Sequence, residues 1–302
     1  MTVELSGLVD LQVNGAAGHD LTSDPDRLWD IAATLPEHGV AAFLPTVVTS
    51  DPRVPARALE VLATGPPADW AGATPLGLHL EGPMLAPGRK GAHSAEWLRP
   101  PSVDVVDGWS REAGVAMVTL APELPGALEV IELLVGRGVV VSVGHTEATA
   151  ADVAAAVDAG ATCVTHLGNA MPAMRPRDPG PVGAALGHDS LVAGVIVDGH
   201  HLAADFVRAA WSALGPERFL SVSDTTAALG IPDGSARLGD RDVVVADGTV
   251  RLPDGTLAGS AASLADCLRI LMEQTGCSPG DAVATATTTP LRLLGIDPAE
   301  VL

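Results

Sequence analysis

Glu81, His145, His166 and Asp224 each close a short apolar run: Gly77-Leu-His-Leu-Glu-Gly-Pro83, Val143-Gly-His145, Thr165-His166 and Ser223-Asp224. One carboxylate and two imidazoles form a donor set that a catalytic divalent ion accepts, zinc among them, with a position left over for water. Water held there becomes acidic enough to give hydroxide near neutral pH, and the ion also polarises a substrate carbonyl. Asp224, a further carboxylate, is suited to take a proton from water as general base and return it to a leaving amine. The implied chemistry is metal-assisted hydrolysis. Taken singly, each residue has a plainer use: Asp224 before Thr225-Thr226 suits a helix cap, and a lone histidine at a strand end is commonly a hydrogen-bonded core or loop residue. Their shared position at strand ends is what points to a site.

Residues so far apart in the chain meet only if the fold gathers strand C-termini, as a (β/α)₈ barrel does, where the loops after the strands build the active site. Apolar runs rich in Val, Leu and Ile predict strands near 7–13, 41–47, 75–80, 115–120, 139–143, 162–165, 191–197 and 219–223. Ala-rich stretches with helical spacing predict helices at 26–38, 55–62, 125–137, 148–159, 203–213 and 263–275. The alternation gives an α/β fold with a parallel sheet. The chain's 302 residues hold one such barrel, which takes ~250 residues, and leave no room for a large second domain, so 1–302 reads as a single barrel domain. The stretch 235–260 breaks the rhythm. With Asp247-Gly248 at its centre it predicts a β-hairpin, placed as a flap between the eighth strand and the closing helix.

Composition narrows the function classes. Hydrophobic residues at 47% against 18% charged, with no block of like charge, fit a folded globular chain. A formal charge of -20 leaves no broad basic surface and argues against nucleic-acid binding, while an anionic substrate would need a local cationic pocket. Met1-Thr-Val-Glu-Leu-Ser-Gly7 lacks the basic start and apolar stretch of a signal peptide, and no run has the length of a membrane span. Cys163, Cys267 and Cys277 are odd in number and form no CxxC, which suits a reducing cytoplasm.

Nine segments then carry a family resemblance: Gly7-Leu-Val-Asp-Leu-Gln-Val-Asn-Gly15, His79-Leu-Glu-Gly-Pro83, Lys90-Gly-Ala-His93, Gly144-His-Thr146, Thr165-His-Leu-Gly-Asn-Ala-Met171, Arg177-Asp-Pro-Gly180, Asp198-Gly-His-His201, Ser223-Asp224 and Leu257-Ala-Gly-Ser260. On these the chain resembles the N-acetylglucosamine-6-phosphate deacetylases of the amidohydrolase superfamily, from Gly7 to about Leu294; HLEGP and THLxNAM together are specific. The resemblance implies removal of acetate from an N-acetylated hexosamine 6-phosphate. It puts the metal ligands on Glu81, His145 and His166 and the acid/base on Asp224. His93 is similar to a histidine that polarises the acetyl carbonyl. Arg177 matches the phosphate-binding arginine, with Asn169, Ala170 and His201 completing the sugar-phosphate pocket; Ala92, Asp198, Leu257, Ala258 and Gly259 fall on matching substrate-binding segments. Arg175 and Arg89 are neighbours that could substitute for Arg177, but they read better as solvated loop charges. The family also implies a homodimer that completes the phosphate site across its interface.

Where many amidohydrolases carry His-x-His for a second metal, this chain has Gln12-Val-Asn14, weak ligands better used as hydrogen-bonding groups in the barrel mouth. The resemblance therefore implies one divalent ion per subunit, zinc first, with iron(II) or another divalent ion also compatible. The small β domain that flanks the barrel in the family is largely absent from this sequence. Gly168 stands where the family has a bulky residue, and its loss is expected to loosen the pocket floor. That motivates a second reading, deacylation of another N-acyl amino-sugar phosphate; a non-catalytic sugar-phosphate binder is the reading from a different class.

Overall fold

Predominantly apolar runs form eight parallel strands: β1 (Leu8–Val13), β2 (Val40–Val48), β3 (Leu78–Glu81), β4 (Val115–Leu120), β5 (Val140–Val143), β6 (Cys163–Val164), β7 (Val192–Ile196) and β8 (Phe219–Val222). Nearly every residue in them is buried, as strands covered on both faces require. Each pairs in parallel with the next in chain order, with the short strand Thr74–Pro75 beside β2. The computed structural model describes residues 5–301; the first four residues, part of the N-terminal stretch read as lacking a leader, lie outside these, as does Leu302. Among the described residues no helix is long and apolar enough to cross a membrane.

The barrel closes between β1 and β8 mainly at its C-terminal mouth. Val13 bridges Thr225, Asn14 N–H donates to the Thr225 carbonyl at 2.8 Å, and Ser223 N–H donates to the buried Asp10 carboxylate at 3.3 Å. Burial pushes the Asp10 carboxyl up to about 6, partly offset by these hydrogen bonds. The interior is filled by Val9, Leu11, Leu44, Met117, Ile196 and Leu220, with Leu291 and Leu294 packed against them. A larger aliphatic layer joins the outer strand faces to the helices.

The helices are α1 (Leu28–Thr34), α2 (Arg53–Thr64), α3 (Ala127–Gly136), α4 (Ala150–Asp158), α5 (Gly180–Gly187), α6 (Ala204–Arg218), α7 (Leu264–Thr275), α8 (Pro279–Ala284) and α9 (Thr288–Leu293). Local chemistry starts several: Thr149 and Asp152 make a capping box on α4, and Ser263 accepts from Asp266 N–H at the head of α7. The helix expected at 26–38 is α1 flanked by 3₁₀ turns at Pro25–Arg27 and Leu35–His38, since Pro36 supplies no N–H to continue it. The helix expected at 203–213 runs on to Arg218, with a backbone break at Gly215 (φ 60°, ψ 177°) before Pro216.

The predicted hairpin is the centre of a larger element. β9 (Gly234–Leu238), β10 (Arg241–Ala246), β11 (Thr249–Arg251) and β12 (Leu257–Ser260) form a four-stranded antiparallel sheet, with the expected Asp247-Gly248 turn joining β10 to β11. Its inner face (Leu238, Val243, Val245, Val250, Ala258) packs against Val48 and Ala228 over the barrel mouth. Gly239 N–H donates to the Asp20 carboxylate at 2.8 Å and fixes the β9–β10 turn to the barrel.

Candidate active site

Glu81 ends β3, His145 and His166 follow β5 and β6, and Asp224 follows β8, so parallel strand direction alone delivers all four to one mouth. The Glu81 Oε1, His145 Nε2 and His166 Nε2 atoms form a triangle with sides of 3.2, 3.1 and 3.1 Å. Donors 2.0–2.1 Å from a tetrahedral ion would stand about 3.3–3.4 Å apart, so the triangle suits one small divalent ion. His145 Nδ1 faces the Arg89 carbonyl at 2.8 Å and must be its protonated nitrogen in the neutral ring, which leaves the Nε2 lone pair aimed at the triangle. Burial would raise Glu81, but its close contacts with the His145 and His166 rings outweigh it and hold the carboxyl well below its usual value. The cluster is built to surround positive charge.

His93 joins this group without sharing its role. Glu81, His93 and His145 offer donor atoms all within 4.8 Å of one another, and His93 Nε2 lies 3.7 Å from Glu81 Oε2. Thr49 N–H, however, donates to His93 Nδ1 at 3.2 Å, so that nitrogen is an acceptor and the ring carries its proton on Nε2. Burial, reinforced by the neighbouring His145, pushes His93 down to about 3 and keeps it neutral. Its Nε2–H is thus a hydrogen-bond donor directed into the site, and not a lone pair for an ion.

Asp224 caps no helix; a turn follows it. Asn14 Nδ2 donates to its Oδ1 at 2.8 Å, and Gln12 Nε2 donates to Glu81 Oε1 at 3.2 Å, so both amides of the Gln12-Val-Asn14 segment orient carboxylates of the site. Burial and then the nearby Glu81 charge push Asp224 up to about 8. His145 (φ 49°), His166 (φ 29°) and Asp224 (φ 50°) all hold left-handed backbone, a costly conformation for residues with a Cβ and one that clusters at functional sites. Gly259 makes room beside them: a Cβ there would sit 2.5 Å from Thr226 Cγ2 and 2.8 Å from the Asp224 carbonyl.

These groups line a cavity of about 310 Å³, within the range for small-molecule sites. Ala92, Asn169, Ala170, His201, Leu257, Ala258 and Gly259 line it as the sequence expects, with Thr256 to Gly259 brought in by the four-stranded sheet. Asp198 does not line it. Its carboxylate accepts from His200 and His201 N–H at 2.9 Å each and binds His201 Nδ1 at 2.7 Å, so it orients His201 from behind. Burial alone would raise Asp198, and the His201 contact outweighs it and lowers the carboxyl.

Two further residues lie away from this cavity. Arg177 stands exposed in the turn between Arg175 and Asp178 and is not a wall of this chain's cavity; the guanidinium-bearing residue that lines it is Arg89, read from the sequence as a solvated loop charge. Arg89 is held by its neighbours, with its carbonyl on His145 and its Nε 3.6 Å from Glu147 Oε1. Gly168 does not floor the cavity either. At φ 88° a Cβ there would meet Phe206 Cζ at 3.0 Å and Leu202 Cδ2 at 3.3 Å, so the position faces α6. Sequence reading also missed Val48, Ile196 and Leu238 on the cavity wall, ordinary core residues by every local signal.

Comparison with known proteins identifies relatives of the chain. The model of the amidohydrolase family matches residues 5–301. The chain is 36% identical over 301 residues to the N-acetylglucosamine-6-phosphate deacetylase of Bacillus subtilis (strain 168), covering 98% of this chain and 76% of that one. It is 37% identical to an N-acetylgalactosamine-6-phosphate deacetylase of Escherichia coli O157:H7, covering 96% of this chain and 77% of that protein. The structure of a Mycobacterium smegmatis N-acetyl-D-glucosamine-6-phosphate deacetylase variant in complex with N-acetyl-D-glucosamine-6-phosphate superimposes with a TM-score of 0.88 at 37% identity, covering 97% of this chain and 78% of that one.

Proposed function

The chain belongs to the amidohydrolase family, among its N-acetylglucosamine-6-phosphate deacetylases, and on that basis we propose that it hydrolyses N-acetylglucosamine 6-phosphate to glucosamine 6-phosphate and acetate. The observation that carries this is the 3.1–3.2 Å triangle of Glu81, His145 and His166 with Asp224 on the same cavity wall. A divalent ion, zinc by the donor set, would be held by those three residues and would acidify water and polarise the acetyl carbonyl. Asp224, oriented by Asn14, takes the proton from the attacking water. His93 Nε2–H donates to the acetyl oxygen as negative charge develops on it. The hydroxide oxygen bonds to the acetyl carbon, the C–N bond breaks, and Asp224 returns its proton to the departing amine, leaving acetate and a free amino sugar.

For the phosphate we assign Arg177, with His201 and the Asn169-Ala170 segment. Because Arg177 is exposed and off its own chain's cavity, the assignment requires a homodimer in which the turn at 175–178 reaches the partner's mouth. The test is acetate release from N-acetylglucosamine 6-phosphate, N-acetylgalactosamine 6-phosphate and unphosphorylated N-acetylglucosamine by protein loaded with Zn²⁺ or Fe²⁺. Highest kcat/KM on N-acetylglucosamine 6-phosphate is expected. No acetate from any of the three with either metal would overturn the reading, and equal use of the unphosphorylated sugar would remove its phosphate half.

A further inference from the structure

Below the metal triangle the barrel interior holds a row of polar groups that the proposed chemistry leaves unused. His79, Thr119, Ser142 and Thr165 are each 4% exposed or less. Ser142 Oγ lies 2.6 Å from Thr165 Oγ1, Thr165 Oγ1 lies 2.7 Å from Thr119 Oγ1, and Thr119 Oγ1 lies 2.8 Å from His79 Nε2. On its other side His79 Nδ1 faces the Leu11 carbonyl at 3.2 Å.

One end of this row fixes every proton in it. A carbonyl only accepts, so His79 must donate from Nδ1. Thr46 Oγ1, 3.5 Å from the same nitrogen, gives its own proton to the Leu44 carbonyl and offers only a lone pair there, which agrees. His79 Nε2 is then an acceptor, and Thr119 must donate to it. Thr119 therefore accepts from Thr165, and Thr165 from Ser142. The result runs one way, Ser142 to Thr165 to Thr119 to His79 to the Leu11 carbonyl, tying β5, the end of β6, β4, β3 and β1 across the barrel.

Each ligand of the triangle is attached to this row. Thr165 immediately precedes His166. His79 lies two residues before Glu81, on the same face of β3. Gly144, just before His145, sits so close to the two threonines that a Cβ there would lie 2.8 Å from both Thr119 Cγ2 and Thr165 Cβ.

We infer that this one-way hydrogen-bond chain is a positioning device that sets the spacing of the three metal-binding strand ends, with Thr119, Thr165 and His79 as positioning residues. The inference rests on the proposed ligand set for what is positioned. Two measurements test it, neither using a sugar. In protein with ¹⁵N-labelled histidine, the His79 resonances should show the proton on Nδ1; a proton on Nε2 would reverse the chain and overturn it. In the second, chelator competition should show Thr119→Val and Thr165→Val binding Zn²⁺ roughly 10–100-fold more weakly than wild type, the scale for partners that orient ligands from behind. Thr119→Ser and Thr165→Ser, which keep the hydroxyl, should bind within a few-fold of wild type. Wild-type Zn²⁺ affinity in both valine variants would overturn the inference. Should those variants fail to fold, a proton on Nε2 in wild type would still overturn it. Normal Zn²⁺ binding without acetate release would sink the deacetylase reading and leave this one standing.

Discussion

Asp224 shows how one side chain's surroundings set both its chemistry and its cost. A buried carboxyl pushed up to about 8 without a cation nearby holds its proton at neutral pH, whereas a cation among Glu81, His145 and His166 favours the carboxylate a general base must be. Asp224→Asn should keep the fold and metal content while kcat falls roughly 10²-fold or more, with KM little changed; near-normal turnover would move the base elsewhere. The sign of its stability effect follows from linkage. A folded-state value raised from 3.8 to about 8 means that the folded protein binds the extra proton, so metal-free wild type loses stability as pH rises from about 4 to 8. Asp224→Asn has no such proton. Between pH 5 and 8 metal-free wild type should therefore fall relative to the variant by roughly 1–4 kcal/mol, read from denaturant titrations at each pH. Parallel curves would contradict the burial argument. The four site residues were legible in the sequence because each ends an apolar run. Asp198 and Arg89 were not, since no local pattern tells whether a loop side chain faces a cavity or the residue behind it.

The strands were legible for the same physical reason that they are stable: apolar runs such as Val192–Ile196 have no polar face to present to water. The element read least well is the sheet over the mouth. Its β10–β11 turn is announced by Asp247-Gly248, but Gly234–Leu238 and Leu257–Ser260 have little strand character and pair only because register with their neighbours is available. The sequence Gly180-Pro-Val-Gly-Ala-Ala-Leu-Gly187 likewise hid α5, because glycine weakens the propensity signal that packing against α4 and α6 overrides. Ser260 ties β12 to the segment after β8, bonding to Ser223, Asp224 and Thr226, and Asp20 anchors the other end of the sheet: it accepts Gly239 N–H from the β9–β10 turn and Ser23 N–H at 2.7 Å. Asp20→Ala removes both acceptors and leaves two backbone donors unpaired, which costs about 1–3 kcal/mol each where water cannot reach. Amide hydrogen exchange over 234–260 should quicken in that variant while the barrel strands stay protected. Because the sheet supplies Leu257, Ala258 and Gly259 to the cavity, KM should rise more than kcat falls. Unchanged exchange would mean that the apolar inner face and the Ser260 bonds hold the sheet without Asp20.

At the scale of the whole molecule, the fold accounts for the metal triangle and the acid/base within one chain but leaves the phosphate without Arg177. A chain of net charge -20 repels a phosphorylated sugar until it meets a local cation, so the position of that cation is the main question of assembly. Two arginines compete: Arg89 on the cavity wall, and Arg177 exposed on its turn. If the dimer reading holds, Arg177→Ala lowers kcat/KM on the 6-phosphate by about 2–4 kcal/mol, with little effect on unphosphorylated sugar. The Asp224→Asn chain is inactive in its own cavity yet carries an intact Arg177. In a two-fold dimer, pairing it with an Arg177→Ala chain rebuilds one complete site, with Asp224 from one chain and Arg177 from the other. Random reassortment of equal amounts makes half the dimers mixed, each with one working site, so activity should recover to about a quarter of wild type. If Arg177 serves its own cavity, no mixed dimer contains a complete site, and activity stays at the sum of the two variants measured apart. If Arg89 is the phosphate ligand, Arg89→Ala should show the large, phosphate-specific loss in place of Arg177→Ala, and reassortment of Arg89→Ala with Asp224→Asn should restore nothing.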